Sequence, residues 1–288
     1  MNLGEWLNTW LELYVEPSGL AKNTKLCYNR SVRSLMMEDS LKSIPLSQLS
    51  PLDLRRWLLS VARETPRAAQ LDRVMLSRAL TVAAKLGLCR SGMVDPDVCP
   101  QIVHRPAKAA VLTAEQLRRY MARAAKEKCA SVLLLCCCGC RRGEAMGARW
   151  CDIDLAAGTF TITVQRQSHD PLPLKSRSAH RTIALPPMVM AAIRAQPASL
   201  PWVCSCCMQD VYAAHRRVLK AEDLPHVTLH GLRHSVATIA VMAGEPIKLI
   251  QAALGHSRYQ LTADLYADHM PPVATMTARI LEYCAHDI

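Results

Sequence analysis

Several features are missing from this sequence, and each absence narrows what the protein can be. No apolar run approaches the length of a bilayer span: residues 132–138 form the strongest candidate, and Arg141 and Arg142 interrupt it almost at once. Residues 1–13 carry Glu5 and Glu12 and lack a cationic stretch leading into an apolar run. That start argues against a secretory leader and for a cytoplasmic protein with reduced thiols. No glycine-rich phosphate loop of the P-loop type is present, so nucleotide triphosphate chemistry of that kind is not expected. Internal repeats and low-complexity tracts are absent as well. Acidic residues are outnumbered, 24 against 35 Lys and Arg, giving a net charge of +11 and a pI near 9.2. The imbalance points to a polyanionic partner, nucleic acid first, although many basic proteins have no specific partner of that kind.

Cysteine, by contrast, is plentiful at 13 residues. Cys136, Cys137 and Cys138 sit in the apolar run, where a thiol behaves as a small core residue. Cys204, Cys206 and Cys207, with His215 and His226 downstream, match no paired-thiol zinc spacing, so a cysteine-rich loop is expected there and no structural metal.

At 288 residues, half of them apolar, the chain is long enough for two cores. Leu3, Trp6, Leu7, Trp10, Leu11 and Leu13 recur at helical spacing up to Pro17. Further helices are expected over 24–37, from Pro51 through Leu59 behind a Ser50 cap, and over 67–88. Basic residues scattered through these four helices, Lys22, Lys25, Arg30 and Arg33 among them, suit a phosphate-facing surface and equally a solvated one. Periodicity disappears over 92–110, where Pro96, Pro100 and Pro106 mark a linker. Thr113 and Gln116 form a capping box that opens the second domain with a helix to about Lys126. Strand patterning appears only within 150–185: Thr159 to Val164 alternate, and 181–185 forms a second run. From Val211 onward the pattern is helical again, broken near Pro225, Gly244 and Gly255. The expected fold is mainly α with a small antiparallel β-sheet (α+β), a helical domain over 1–108 and a larger one over 109–288.

Five groups carry chemistry. Gly139 permits close backbone approach ahead of Arg141 and Arg142, and Glu144 can hold an arginine fork for a phosphate; alone, this reads as readily as a surface ion pair at a helix start. Lys175 lies in a polar segment between strands with Arg177, His180 and Arg181, a flexible reach or simply a solvated turn. His230 and Arg233, three apart, offer a titratable group and a fixed charge on one helix face; a capping histidine beside a surface arginine is the plainer alternative. Gly255 ends a helix in the left-handed conformation and aims His256 off its end. Tyr266 follows, a residue type that usually packs.

Together, GCRRGE at 139–144, RWCDID at 149–154, KSRSAHR at 175–181, HGLRHSVAT at 230–238, LGHS at 254–257 and Tyr266 resemble, in order and spacing, the tyrosine recombinase (phage integrase) family. The similarity spans about 110–270, and the front half, with Thr24 and Tyr28 in an early helix, is similar to that family's core-binding domain. The resemblance implies a site-specific DNA recombinase for integration or excision of mobile DNA. By it, Arg141 and Arg233 clamp the scissile phosphate, Lys175 protonates the leaving 5′ oxygen, His230 handles the nucleophile's proton, His256 adds a hydrogen bond, and Tyr266 forms a 3′-phosphotyrosyl link. Glu144 supports Arg141. The family's chemistry needs no metal or cofactor, since guanidiniums supply the positive charge. Double-stranded DNA, a homotetramer in synapsis and accessory DNA-bending proteins are the implied partners, with nucleoid association following from DNA binding. Cys138 stands where threonine is common, and Asp268 and His269 follow Tyr266 where a histidine two residues on is frequent. A separate arm-site-binding domain is not expected. A catalytically silent DNA-binding regulator and a type IB topoisomerase are the competing readings, the first needing loss of a catalytic group. Val273, Met276, Ile280 and Leu281 give the tail an apolar face for a neighbouring protomer or for its own domain.

Overall fold

Asn2 starts the first helix by a reciprocal cap: its Oδ1 accepts from the Glu5 amide at 2.8 Å, and its own amide donates to Glu5 Oε2 at 2.9 Å. The computed structural model describes residues 1–99, 101–103, 110–166, 171–174, 177–198 and 200–255. The chain divides into two units, Met1–Ala107 and Lys108–Ile288.

In the first unit, α1 (Leu3–Trp10) continues as a π-helical turn over Leu11–Val15, followed by α2 (Lys22–Met36), the single turn α3 (Asp39–Lys42), α4 (Pro51–Glu64) and α5 (Pro66–Lys85). Leu3, Trp6, Leu7 and Trp10 of α1 are buried, and the Trp6 indole donates to Ala79 O of α5 at 3.1 Å. α4 runs past the expected stop at Leu59 to Glu64 because nothing breaks the helix before Pro66, which forces Thr65 out of the helical region. α3 escaped the sequence reading because one turn carries no periodicity. The expected linker also begins too early. Met93, Val94 and Cys99 are buried, and Arg73 of α5 donates to Val94 O and Cys99 O at 2.9 and 3.0 Å. This stretch belongs to the first unit, its carbonyls satisfied by a distant guanidinium instead of a local ladder.

In the second unit, the Thr113–Gln116 capping box opens α6 (Ala114–Ala124), and α7 (Ala130–Cys137) is buried on every side. Next come α8 (Arg142–Met146), a 3₁₀ turn over Trp150–Asp152, β1 (Ile153–Asp154), β2 (Thr159–Ile162), β3 (Val164–Arg166) and β4 (Pro171–Pro173). A 3₁₀ turn (Arg177–Ala179), β5 (Arg181–Ala184), α9 (Pro187–Arg194), α10 (Met208–Ala221), α11 (Leu229–Met242) and α12 (Ile247–Leu254) complete the described part. The strand expected over Thr159 to Val164 is two. β2 pairs antiparallel with β1 and β5, Phe160 opposite Ile183, whereas β3 pairs with β4. The change of partner falls at Thr163, whose hydroxyl donates to Asp152 Oδ1 at 3.0 Å and accepts from Arg149 at 2.9 Å. The fold is mainly α with small antiparallel sheets. Among the described residues no helix is long and apolar enough to cross a membrane. The tail after residue 255 lies outside the described residues.

Candidate functional site

The site begins where α7 ends. Gly139 turns the chain at φ +85°, a left-handed conformation that favours glycine, and packs against the tip of Leu254, whose Cδ2 would stand 2.8 Å from an added Cβ. Cys140 is buried, and Arg141 then caps α8. The Arg141 amide donates to Glu144 Oε2 at 2.8 Å and its Nη1 to Glu144 Oε1 at 2.7 Å. Glu144, 2% exposed, thus pairs with both the backbone and the side chain of Arg141. Arg142 turns outward and lies over the Tyr212 ring, 5.6 Å from its centroid.

Arg233 arrives from α11, which Thr228 caps by accepting from the Gly231 amide at 2.9 Å. It is no surface arginine: 1% of it is exposed, and it donates to Gly139 O at 2.6 Å and Leu254 O at 2.5 Å. Arg181 of β5 enters from a third direction, donating to Glu144 Oε2 at 2.9 Å and Ala253 O at 2.6 Å. Arg141 Nη2 reaches Gly255 O at 2.7 Å. Three successive carbonyls at the end of α12, those of Ala253, Leu254 and Gly255, are thus taken by guanidiniums from β5, α11 and the start of α8. A helix leaves its last carbonyls unpaired and its C-terminal end partly negative, and cations answer both demands. Gly255 is left-handed at φ +66°, and a Cβ on it would stand 2.8 Å from Ser178 O. The chain just after Lys175 and the residue before His256 are therefore in contact.

Three guanidiniums around one carboxylate leave the cluster positive. Burial alone would raise the Glu144 carboxyl, but Arg181 and Arg141 outweigh it and hold the group below the usual range. Arg233 is lowered to about 9, by burial first and then by the charge of Arg141. A guanidinium has five N–H groups, and Arg141 and Arg233 each give only two of their side-chain donors to the protein, so both keep donors for an anion. His230 heads α11 one turn before His234, their rings edge-to-face at 4.6 Å. Its pKa is lowered to about 4, by enclosure first and then by His234, Arg233, Arg141 and Arg142. By surface area the residue is exposed, so its ring keeps part of its hydration, and the neighbouring charges are the firmer cause.

The structure thus brings Arg141, Glu144, His230 and Arg233 to one place. Lys175, His256 and Tyr266 lie outside the described residues. In the sequence Arg181 stands as the last cation of a polar turn and the first residue of the 181–185 strand, with no site role; the signal available is a charge opening an otherwise β-patterned run. In the cysteine-rich loop, Cys204 and Cys206 are buried. His215 bonds the Tyr120 hydroxyl and Val227 O, each at 2.7 Å. Among the described residues no group of three or more His, Cys, Asp or Glu side chains is placed to hold a metal.

The sequence pattern of the phage integrase family matches residues 110–271. Prophage integrase IntF of Escherichia coli (strain K12) is 26% identical over 243 residues, 79% of this chain and 51% of that protein. The chain spans about half the length of the curated relatives it matches, 51% and 46%. Among solved structures, the Tn1549 transposon integrase in complex with a circular intermediate DNA superposes with a TM-score of 0.78 at 19% identity, covering 97% of this chain and 98% of that one. A lambda integrase tetramer bound to a Holliday junction gives 0.70 at 18% identity, with 94% and 79% covered. These likenesses establish the fold.

Proposed function

Because the chain belongs to the phage integrase family, we propose that it is a tyrosine-type site-specific recombinase that cuts and rejoins double-stranded DNA through a covalent phosphotyrosyl link. The observation that carries this reading is the convergence of Arg141 and Arg233, 92 positions apart by number, on adjacent carbonyls of α12. Their remaining N–H donors fit the non-bridging oxygens of one phosphate, where preorganised positive charge stabilises a transferring phosphoryl group.

In this reading the Tyr266 oxygen attacks phosphorus, and the bond from phosphorus to the 5′ oxygen breaks. A 3′-phosphotyrosyl ester and a free 5′ hydroxyl result. Lys175 gives a proton to the leaving oxygen, His256 adds a hydrogen bond, and His230 accepts the phenol proton. The lowered pKa of His230 keeps its ring neutral at physiological pH, so a ring nitrogen lone pair is available to the phenol proton. The ester conserves the bond energy, and the 5′ hydroxyl of a new partner reverses the step. Residues 1–108 serve as the core-binding domain, 109–288 as the catalytic domain. A homotetramer in synapsis, with accessory DNA-bending proteins, is the assembly we propose, in keeping with the lambda integrase tetramer on a Holliday junction.

The test is a nicked suicide substrate that traps the adduct. Tyr266→Phe is expected to bind the DNA as the parent does and to form no covalent complex. An adduct that persists in Tyr266→Phe overturns the nucleophile assignment, and parent protein that never forms one favours the silent regulator.

A further inference from the structure

We infer that Arg181 is a positioning residue for this reaction, a buried guanidinium that sets Arg141 against the end of α12 without touching the phosphate itself. The inference rests on the recombinase reading for its kinetic consequences and on geometry for everything else. The Arg181 side chain is 6% exposed, and its donors are committed to the protein. Nε donates to Ala253 O at 2.6 Å, Nη1 to Ala179 O at 3.2 Å, and Nη2 to Glu144 Oε2 at 2.9 Å with a longer approach to Gly139 O at 3.5 Å. One planar group therefore spans the α7–α8 turn, the end of α12 and the 3₁₀ turn that follows Lys175.

The geometry gives this span a direction of action. Glu144 divides its carboxylate, Oε1 to the Arg141 side chain and Oε2 to Arg181 and the Arg141 amide. Arg181 thus fixes the carboxylate that in turn fixes Arg141. It also lies under Gly255, where a Cβ would stand 2.9 Å from its Nη1, so the residue leading into His256 rests on the same guanidinium. At the strand end, Arg181 pairs with Ile162 of β2, which anchors its backbone to the sheet. A lysine carries the charge but lacks the fork needed to hold a carboxylate and two carbonyls at fixed angles. Its loss should misplace Arg141 in the chemical step while leaving the DNA-contacting surface intact.

The experiment compares parent and Arg181→Lys in single-turnover cleavage of the suicide substrate, in DNA affinity, in thermal melting, and in NMR of the arginine Nε–H groups. Arg181→Lys is expected to cleave about 100-fold more slowly, the scale set by a small misplacement of a catalytic group. DNA affinity should stay within about 3-fold, and the loss should fall on the rate. Adding Glu144→Gln to Arg181→Lys should cost much less than the two separate losses combined, because both act through one contact. The Nε–H signal of Arg141 should shift and exchange faster with solvent. Parent-like cleavage in Arg181→Lys overturns the proposal; so does slow cleavage accompanied by a lowered melting temperature and an unchanged Arg141 signal, which marks a packing role alone. Should the parent form no Tyr266 adduct, the recombinase reading fails by itself, and the Arg141 signal still decides whether Arg181 positions it.

Discussion

Among the described residues, the first unit buries only Ser31 and Asp72 among its polar side chains, whereas the second buries Glu144, Arg166, His215 and Arg233 along with Ser131, Ser235 and Thr238. The first unit is built around Trp6, Leu7, Leu35, Leu54, Leu58 and Leu76, each at most 2% exposed. Apolar burial on that scale yields stabilisation in proportion to area and fixes no single orientation of a charge. The second unit has as apolar a centre in α7, yet it accepts the desolvation of several ions beside it. Buried ions are a weak source of stability, and they are tolerated where the geometry they hold is useful. The contrast separates a part made to be stable from a part made to hold arginines.

Glu144→Gln tests the charged side of the contrast most severely. Removing the carboxylate leaves Arg141 and Arg181 without their shared partner, and breaking a buried pair in this way should cost about 3–5 kcal/mol of unfolding free energy. Because the folded carboxyl lies below its ordinary value of 4.5, the stabilisation is complete at neutral pH. It fades as pH falls below that value and through the folded one, so Glu144→Gln should lose this part of the acid dependence. Denaturant unfolding at neutral and acid pH reads both, and a change under about 1 kcal/mol at pH 7 would show that the pair is not structural.

Leu58→Ala probes the apolar side. Leu58 is 1% exposed in α4, and truncation should cost about 2–5 kcal/mol. The loss should be the same at neutral and acid pH, since no charge is altered, and hydrogen exchange should quicken over 1–99. A loss that varied strongly with pH would mean that ionisation also governs this core.

Asp72→Asn inverts the usual expectation for removing a charge. Asp72 is 3% exposed, its Oδ2 has no hydrogen-bond partner, and burial raises its pKa against the help of Ser31 and Arg30. The folded state thus favours the protonated acid. Its penalty is absent below the ordinary 3.8 and grows as pH rises through the folded value. Asp72→Asn should therefore gain about 1 kcal/mol at pH 7 and almost nothing near pH 3. Urea midpoints at the two pH values measure it, and a loss at pH 7 would show that the charged form is paired after all.

Much of this was legible along the chain because the signals are local. The Thr113–Gln116 capping box, Ser50 with Pro51 at a helix start, and Gly255 at a helix end each act within one turn. Other features were not legible. Whether Arg233 is a surface residue or a buried one depends on α7 and α12 closing over it, and the split of the strand at Thr163 depends on Asp152 and Arg149. The packing of residues 93–99 on α5 leaves no mark in the sequence, because a carbonyl without a local partner looks the same whether water or Arg73 satisfies it.

By itself, the sequence determined where the capped helices α1, α4 and α6 begin, which residues are apolar enough to form two cores, and the order of the groups that mark the family. Only the tertiary structure decided that the guanidiniums of Arg141, Arg181 and Arg233 meet at one helix end around Glu144. The reason is physical: propensity and capping act over a few residues, whereas burial, charge and the pairing of orphaned carbonyls depend on every segment that folding brings near.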